Sequence, residues 1–337
     1  DLGLKILDMY QADSDYLNRK NISGENALIM CCRNGMETLG LKIMEKENIE
    51  YSYQCDGNNV LSIACDNQMS KIALELLKKN SNAMCALCEE HAFGSACKNG
   101  LTMVVDKFIE KGTIDYNARV SNAYTGLIYA CNYGHLDIAL KLLGCENIDI
   151  NYIDRDGDTA FLCACRSGLV EVVDKMLHLT WSIDHYVTND NGSTALLGAC
   201  GYGHGIIALK IISSIEESMQ RIDFDQSDLD KISDLLNQVD ENGNTAMMYA
   251  CSSGLLDVVK KLLEHGADHN YSGPCGKTPI IAACENIHED IVLELMGTPD
   301  IDYKHADDYG NTVISLALAR GMHNIINTVI NNDILYE

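Results

Sequence analysis

"TAFLCACRSG" occupies Thr159 to Gly168, and three further stretches share its form: "TGLIYACNYG" from Thr125, "TALLGACGYG" from Thr194 and "TAMMYACSSG" from Thr245. Aligned on the leading residue, the equivalents along the chain are Asn26, Asn59, His91, Thr125, Thr159, Thr194, Thr245, Thr278 and Thr312. Successive anchors are 32 to 35 residues apart, except for one step of 51 from Thr194 to Thr245. Six positions after each anchor stand Cys32, Cys65, Cys97, Cys131, Cys165, Cys200, Cys251, Cys284 and, last, Leu318. Nine positions after it stands Gly, except at Gln68 and Ile287; two positions before it stands Gly, except at Glu89 and Ala123.

A period of this length marks a stack of short units, each too small to cover its own apolar face. Each unit reads in the same order. A turn such as "DRDG" (Asp154 to Gly157) or "DENG" (Asp240 to Gly243) uses its glycine for positive φ. The anchor Thr then serves as helix N-cap, and the glycine nine residues on ends that helix. A second helix such as "LLDVVKKLLEHG" (Leu255 to Gly266) places Leu256, Val259, Leu262 and Leu263 on one stripe. The recurrent Ala-Cys pair puts two small apolar side chains where neighbouring helices approach to roughly 8–10 Å. That spacing keeps column neighbours beyond the Cα separation of about 7 Å that a disulfide tolerates, so the thiols are expected to be free and their compartment reducing.

The most regular unit, "DENGNTAMMYACSSGLLDVVKKLLEHGADHN" from Asp240 to Asn270, resembles the ankyrin repeat, and the resemblance extends over nearly the whole chain. It implies an all-α ankyrin-repeat solenoid of helix-turn-helix units with β-turn or hairpin fingers. The family's Thr-Pro-Leu-His tetrapeptide stands here as Thr159-Ala160-Phe161-Leu162 or Thr278-Pro279-Ile280-Ile281, so apolar packing must replace its histidine. The family also carries a His after the glycine that ends the first helix, for structural reasons, and His135 and His204 match that position. The third unit, with His91 as anchor and Glu89 for Gly, is expected to have a distorted turn.

Four segments follow: 1–20 as the tail of a preceding repeat, 21–212 as repeats 1 to 6, 213–238 as an acidic insertion and 239–337 as repeats 7 to 9. The opening "DLGLKILDMYQ" matches "DIALKLLGCEN" from Asp137 in its apolar places, which is the basis for expecting a longer natural chain. In the insertion, Glu216, Glu217, Asp223, Asp225, Asp228, Asp230 and Asp234 suggest a helical extension solvated by its acids, or an acidic protrusion toward a basic partner.

With 25 basic against 49 acidic residues the chain carries a formal charge of −24, which disfavours nucleic acid and anionic lipid and favours a protein partner with a basic patch. No apolar run is long enough to span a membrane. Three Pro, one Trp and 16 Tyr against 4 Phe resemble the ankyrin arrays of large A+T-rich DNA viruses, as well as certain protist proteins; if viral, the chain is expected to recruit a host protein or to take part in a particle or regulatory complex. The expected location is cytoplasmic, the host cytoplasm if viral.

Cys85, Cys88, His91 and Cys97 have spacings a zinc ion could use, but Cys97 belongs to the packed column, so no metal is expected. No Walker loop, HExxH or kinase signature occurs, and no nucleophile has a base and oxyanion site beside it; neither enzyme activity nor a cofactor is expected. What the resemblance does imply is a concave surface built from turn and first-helix positions. Carried over residue by residue, those positions include Tyr124, Asn132, Tyr133, Arg155, Asp158, Arg166 and Tyr202, a set rich in the types that dominate binding energies. The expected function is a non-catalytic interaction scaffold. Two alternatives are a self-assembling structural component and the targeting arm of a larger enzyme.

Overall fold

The computed structural model describes residues 14–51, 54–55, 58–79, 86–120, 123–179, 183–219, 226–335. It is all-α apart from one short antiparallel pair, Gln54–Cys55 with Asn58–Asn59, in the finger that enters repeat 2. The chain divides into two compact blocks, Asp1–Arg155 and Asp156–Glu337. The first carries repeats 1 to 4 and the second repeats 5 to 9 with the insertion.

Each repeat is a pair of helices. In the first block the first helices are Ala27–Arg33, Val60–Asp66, Ala86–Lys98 and Gly126–Asn132, and each packs on the next. Their second helices, Glu37–Met44, Ser70–Lys78, Thr102–Lys111 and Leu136–Leu142, form a parallel layer. The second block repeats the plan with first helices Ala160–Arg166, Ala195–Gly201, Ala246–Ser252, Pro279–Glu285 and Val313–Arg320. Its second helices are Val170–Leu179, Gly205–Met219, Leu256–Glu264, Glu289–Met296 and His323–Leu335.

The anchor column caps as its chemistry dictates. The side chains of Thr125, Thr159, Thr194 and Thr245 accept from the backbone N–H three residues on at 3.1–3.3 Å. Asn26 and Asn59 do the same with their carboxamides. Thr278, followed by Pro279, makes no such bond. Repeat 3 departs further: its first helix runs unbroken through His91, so the expected distorted turn is instead extra helix and His91 caps nothing.

The column thiols Cys32, Cys65, Cys97, Cys131, Cys165, Cys200, Cys251 and Cys284 are all fully buried and unbridged. Burial pushes the thiols of Cys32, Cys200 and Cys284 up to about 12 and lifts Cys97 and Cys165 well above the ordinary range. The column side chains are packing spacers, and burial disfavours the thiolate at the positions named.

Neighbouring repeats are tied at two further levels. His135, His204 and His288 donate from Nε2 to the carbonyls of Lys98, Arg166 and Ser252 one repeat earlier, at 2.9–3.1 Å. Each ring lies so close over Gly100, Gly168 or Gly254 that a Cβ there would come within 2.6–2.7 Å of the imidazole. In the loops, Asn18, Asn117 and Asn270 each span two hydrogen bonds to the backbone of the next loop, at Asn48 and Glu50, Asn147 and Asp149, and Asp300 and Asp302.

The second helix of repeat 7 buries Val258, Val259 and Leu262, while Leu256 and Leu263 are only partly covered. The expected stripe is thus rotated, because the helix contacts second helices on both sides and not one flat surface.

In the insertion, the helix Gly205–Met219 is lengthened and is followed by Gln226–Asn237, which packs on the first helix of repeat 7 and buries Ile232, Leu235 and Leu236. It is therefore not a fully solvated protrusion. Glu216 accepts from Lys261 at 3.0 Å and contacts His265 Nε2 at 2.9 Å, so its carboxylate is committed to repeat 7. Asn237 accepts from the N–H of Asp268, taking the same loop position as Asn18 and Asn117. Asp223 and Asp225 lie outside the described residues; Asp230 and Asp234 are exposed.

Candidate functional site

The proposed partner-facing residues fall in both blocks. In the first, Tyr124 precedes the helix Gly126–Asn132 and Tyr133 follows it, so the two flank its ends. Tyr129, from the middle of that helix, joins them: its ring stacks on Tyr124 with centroids 4.9 Å apart and lies 6.3 Å from Tyr133. The ammonium of Lys98 sits 6.0 Å from the Tyr129 ring and 5.8 Å from that of Tyr133. A cation over two tyrosine faces is electrostatically attractive. Burial, with Tyr133 beside it, raises the Tyr129 phenol to about 12. Tyr133 remains 51% exposed, Tyr124 and Asn132 are partly covered, and Arg155 is exposed.

In the second block, Asp158 is buried, not presented at the surface as its place in the turn suggests. Its carboxylate accepts from Arg166 at 2.8 Å and from the carboxamide of Asn189 at 2.9 Å. The physical reason is that Arg166 lies one helix away on the same side, eight residues on, and the pair neutralises itself locally. Burial is the largest single influence and works against the Arg166 cation, but the bond to Asp158 together with the charges of Cys163, Asp158 and Tyr202 outweighs it and holds the pKa above the ordinary value. Tyr202, just past the helix Ala195–Gly201, is 65% exposed. Beside it, the Tyr249 ring lies against Gly201, and its hydroxyl donates to Asp240 at 2.5 Å.

Tyr129 and Lys98 are functional candidates that sequence reasoning passed over. Tyr129 occupies an interior helix position, and only its spacing of five and four residues from Tyr124 and Tyr133 marks the group. Lys98 could have been found as the residue seven after its anchor, the register that also selects Asn132 and Arg166. Of the zinc-spaced set, Cys85 lies outside the described residues, and Cys88 and Cys97 are buried and in no disulfide. Among the described residues no group of three or more His, Cys, Asp or Glu side chains could hold a metal. No helix among them is long and apolar enough to cross a membrane.

The period, the capped short helix and the buried column meet an independent finding: the family described as "Ankyrin repeats (3 copies)" matches residues 93–186 and 175–273, more than half of the chain. The chain belongs to the ankyrin-repeat family. Similar proteins include a probable E3 ubiquitin-protein ligase of Oryza sativa subsp. japonica, 27% identical over 178 residues, which are 47% of this chain and 35% of that protein. An ankyrin repeat-containing protein of Schizosaccharomyces pombe is 36% identical over 100 residues, 30% of this chain and 45% of its own. The human photoreceptor ankyrin repeat protein is 36% identical over 64 residues, 19% of this chain and 14% of its own. The matched ankyrin stretch thus covers less than half of each of these relatives.

Proposed function

We propose that this ankyrin chain is a non-catalytic interaction scaffold that presents its turns and first helices to a protein partner with a basic patch. The observation that carries this reading is the group of Tyr124, Tyr129, Tyr133 and Lys98, which holds a half-exposed tyrosine in one fixed orientation. A side chain already ordered before binding loses little rotamer entropy on association. Arg166, held by Asp158, and exposed Tyr202 supply similar anchors in the second block. The net charge of −24 favours encounter with a basic surface. The compositional likeness to viral arrays makes a recruited host protein the partner class to seek first.

The test is affinity purification from the native cell with the unmodified chain and with the Tyr133→Ala, Arg166→Ala double variant, followed by calorimetric titration of the recovered partner. The double variant is expected to weaken binding by at least about 2 kcal/mol, a typical loss at dominant interface residues. Unchanged affinity in a folded double variant rules out this placement.

A second reading, that the array is the targeting arm of a larger enzyme, is supported by its partial match to a protein named as a probable ubiquitin ligase. Sequencing the transcript on both sides of this stretch decides it: a flanking catalytic domain supports the arm, and its absence removes it. Self-assembly is separated from both by light scattering on the purified chain, where a monomer at micromolar concentration excludes it.

A further inference from the structure

On the second-helix side of repeats 3 and 4, away from the tyrosine group, an open cleft of about 630 Å³ lies along the helices Thr102–Lys111 and Leu136–Leu142 and their following loops. That size is within the range of pockets that accept small groups. Its apolar lining comes from Ile109, Leu140 and Tyr116. Two charged residues of the lining, Asp106 and Lys141, are bonded to each other. A third, Glu146, is exposed and has no ion-pair partner among the described residues.

The nearby cations are already matched: Lys107 with Glu110, Lys111 with Glu89 and Lys141 with Asp106. The lining therefore carries one uncompensated negative charge, from Asp106, Lys141 and Glu146 as −1, +1 and −1. The neighbourhood is negative as well. Burial, together with the charge of Asp115 next to Tyr116, raises the Glu90 carboxyl above its ordinary value.

An apolar wall, an aromatic ring and one unmatched carboxylate together suit a long aliphatic stem that ends in a cation. A guanidinium suits them better than an ammonium, because its plane stacks on a ring and its paired N–H groups fit a carboxylate. We propose that this cleft receives an arginine side chain of a protein partner, with its methylenes on Ile109, Leu140 and Tyr116 and its guanidinium at Glu146. This contact lies on the second helices and their loops, apart from the tyrosine group on the first helix of repeat 4, and stands or falls separately from the role proposed for Tyr133 and Arg166.

Cys145 lines the same cleft as a half-buried thiol that is in no disulfide, whereas Cys275 is exposed elsewhere in the chain, so alkylation reports on occupancy with an internal control. The probes are N-acetyl-arginine amide and its neutral isostere N-acetyl-citrulline amide, with iodoacetamide labelling of the full chain read by peptide mass spectrometry. For a ligand of this size a Kd on the order of 1 mM is expected. At about 10 mM the arginine compound should then slow Cys145 alkylation several-fold. It should leave Cys275 unchanged, and citrulline should affect neither. Glu146→Gln, at an exposed position, should abolish the protection, with each chain's labelling compared with its own rate without ligand. No slowing with arginine, equal slowing with citrulline, or protection that persists in Glu146→Gln overturns the proposal.

Discussion

Repeats 3 and 7 solve the same packing problem from opposite starts. Repeat 7 follows the register at every point: Asp240 accepts from Asn242 and Asn244 to form the turn, Thr245 caps, and a seven-residue helix carries Cys251 to a left-handed Gly254. Repeat 3 has no cap at His91 and runs a 13-residue helix through the place of the turn. In compensation it buries Phe93 edge-on to Phe108, with centroids 5.6 Å apart, and sets Tyr116 5.9 Å from Phe93. Both repeats nevertheless bury the column thiol completely and end under the histidine of the next repeat, His135 over Gly100 and His288 over Gly254. Between these two repeats the start of the first helix varies, while its small inner face and its end are kept.

The largest expected effect tests the compensation. Phe93→Ala should lower unfolding free energy in urea by about 3–5 kcal/mol, the cost of an aromatic cavity that rigid neighbours cannot fill. A loss under about 1 kcal/mol would mean that the aromatic group does not replace the missing cap. Next, Cys97→Leu and Cys251→Leu should each destabilise by about 1–3 kcal/mol, since both columns are sealed and an added branch must displace a neighbouring helix. If only one of the two is harmful, the inner face is not the shared requirement.

Capping should separate the repeats at about a third of that scale. Thr245→Ala is expected to cost about 1 kcal/mol, with the amide of Met248 left unbonded, whereas His91→Ala should stay within about 0.5 kcal/mol because no cap is lost. Equal losses by thermal denaturation would erase the distinction.

The smallest effect concerns the join of repeat 7 to the insertion. Hydrogen bonds from His265 and Lys261 hold the Glu216 carboxyl below its ordinary value. A depressed folded-state pKa contributes stability above the unfolded value of about 4.5, and that contribution disappears as pH falls through the lowered folded value. Glu216→Gln should therefore be less stable at neutral pH by under about 1 kcal/mol, as for a partly exposed pair, and the gap should close in acid. A gap that widens below pH 4.5 contradicts the latch.

Much of this was legible along the chain, because the decisive signals are short. The anchor and the Cys six residues on are within two helical turns of each other, so their cap and column are written locally. The Asn eight residues before an anchor, at Asn18, Asn117, Asn237 and Asn270, was equally periodic but passed unnoticed, since its partners stand about 30 residues away. The insertion was legible as a lengthened helix followed by a further helical stretch, but nothing local showed that Glu216 finds Lys261 45 residues later.

Sequence alone determined the repeat, the interior place of its cysteines and the ankyrin family, because each depends on periodicity and side-chain size. Only the tertiary structure decided which polar residues remain available at the surface. It buried Asp158 against Arg166 and Asn189, joined Tyr124 to Tyr133 through Tyr129 and Lys98, and folded the insertion onto repeat 7. The reason is physical: a charge or ring is committed by the neighbour that stacking brings to it, and a stack places residues one repeat apart closer than most of those between them.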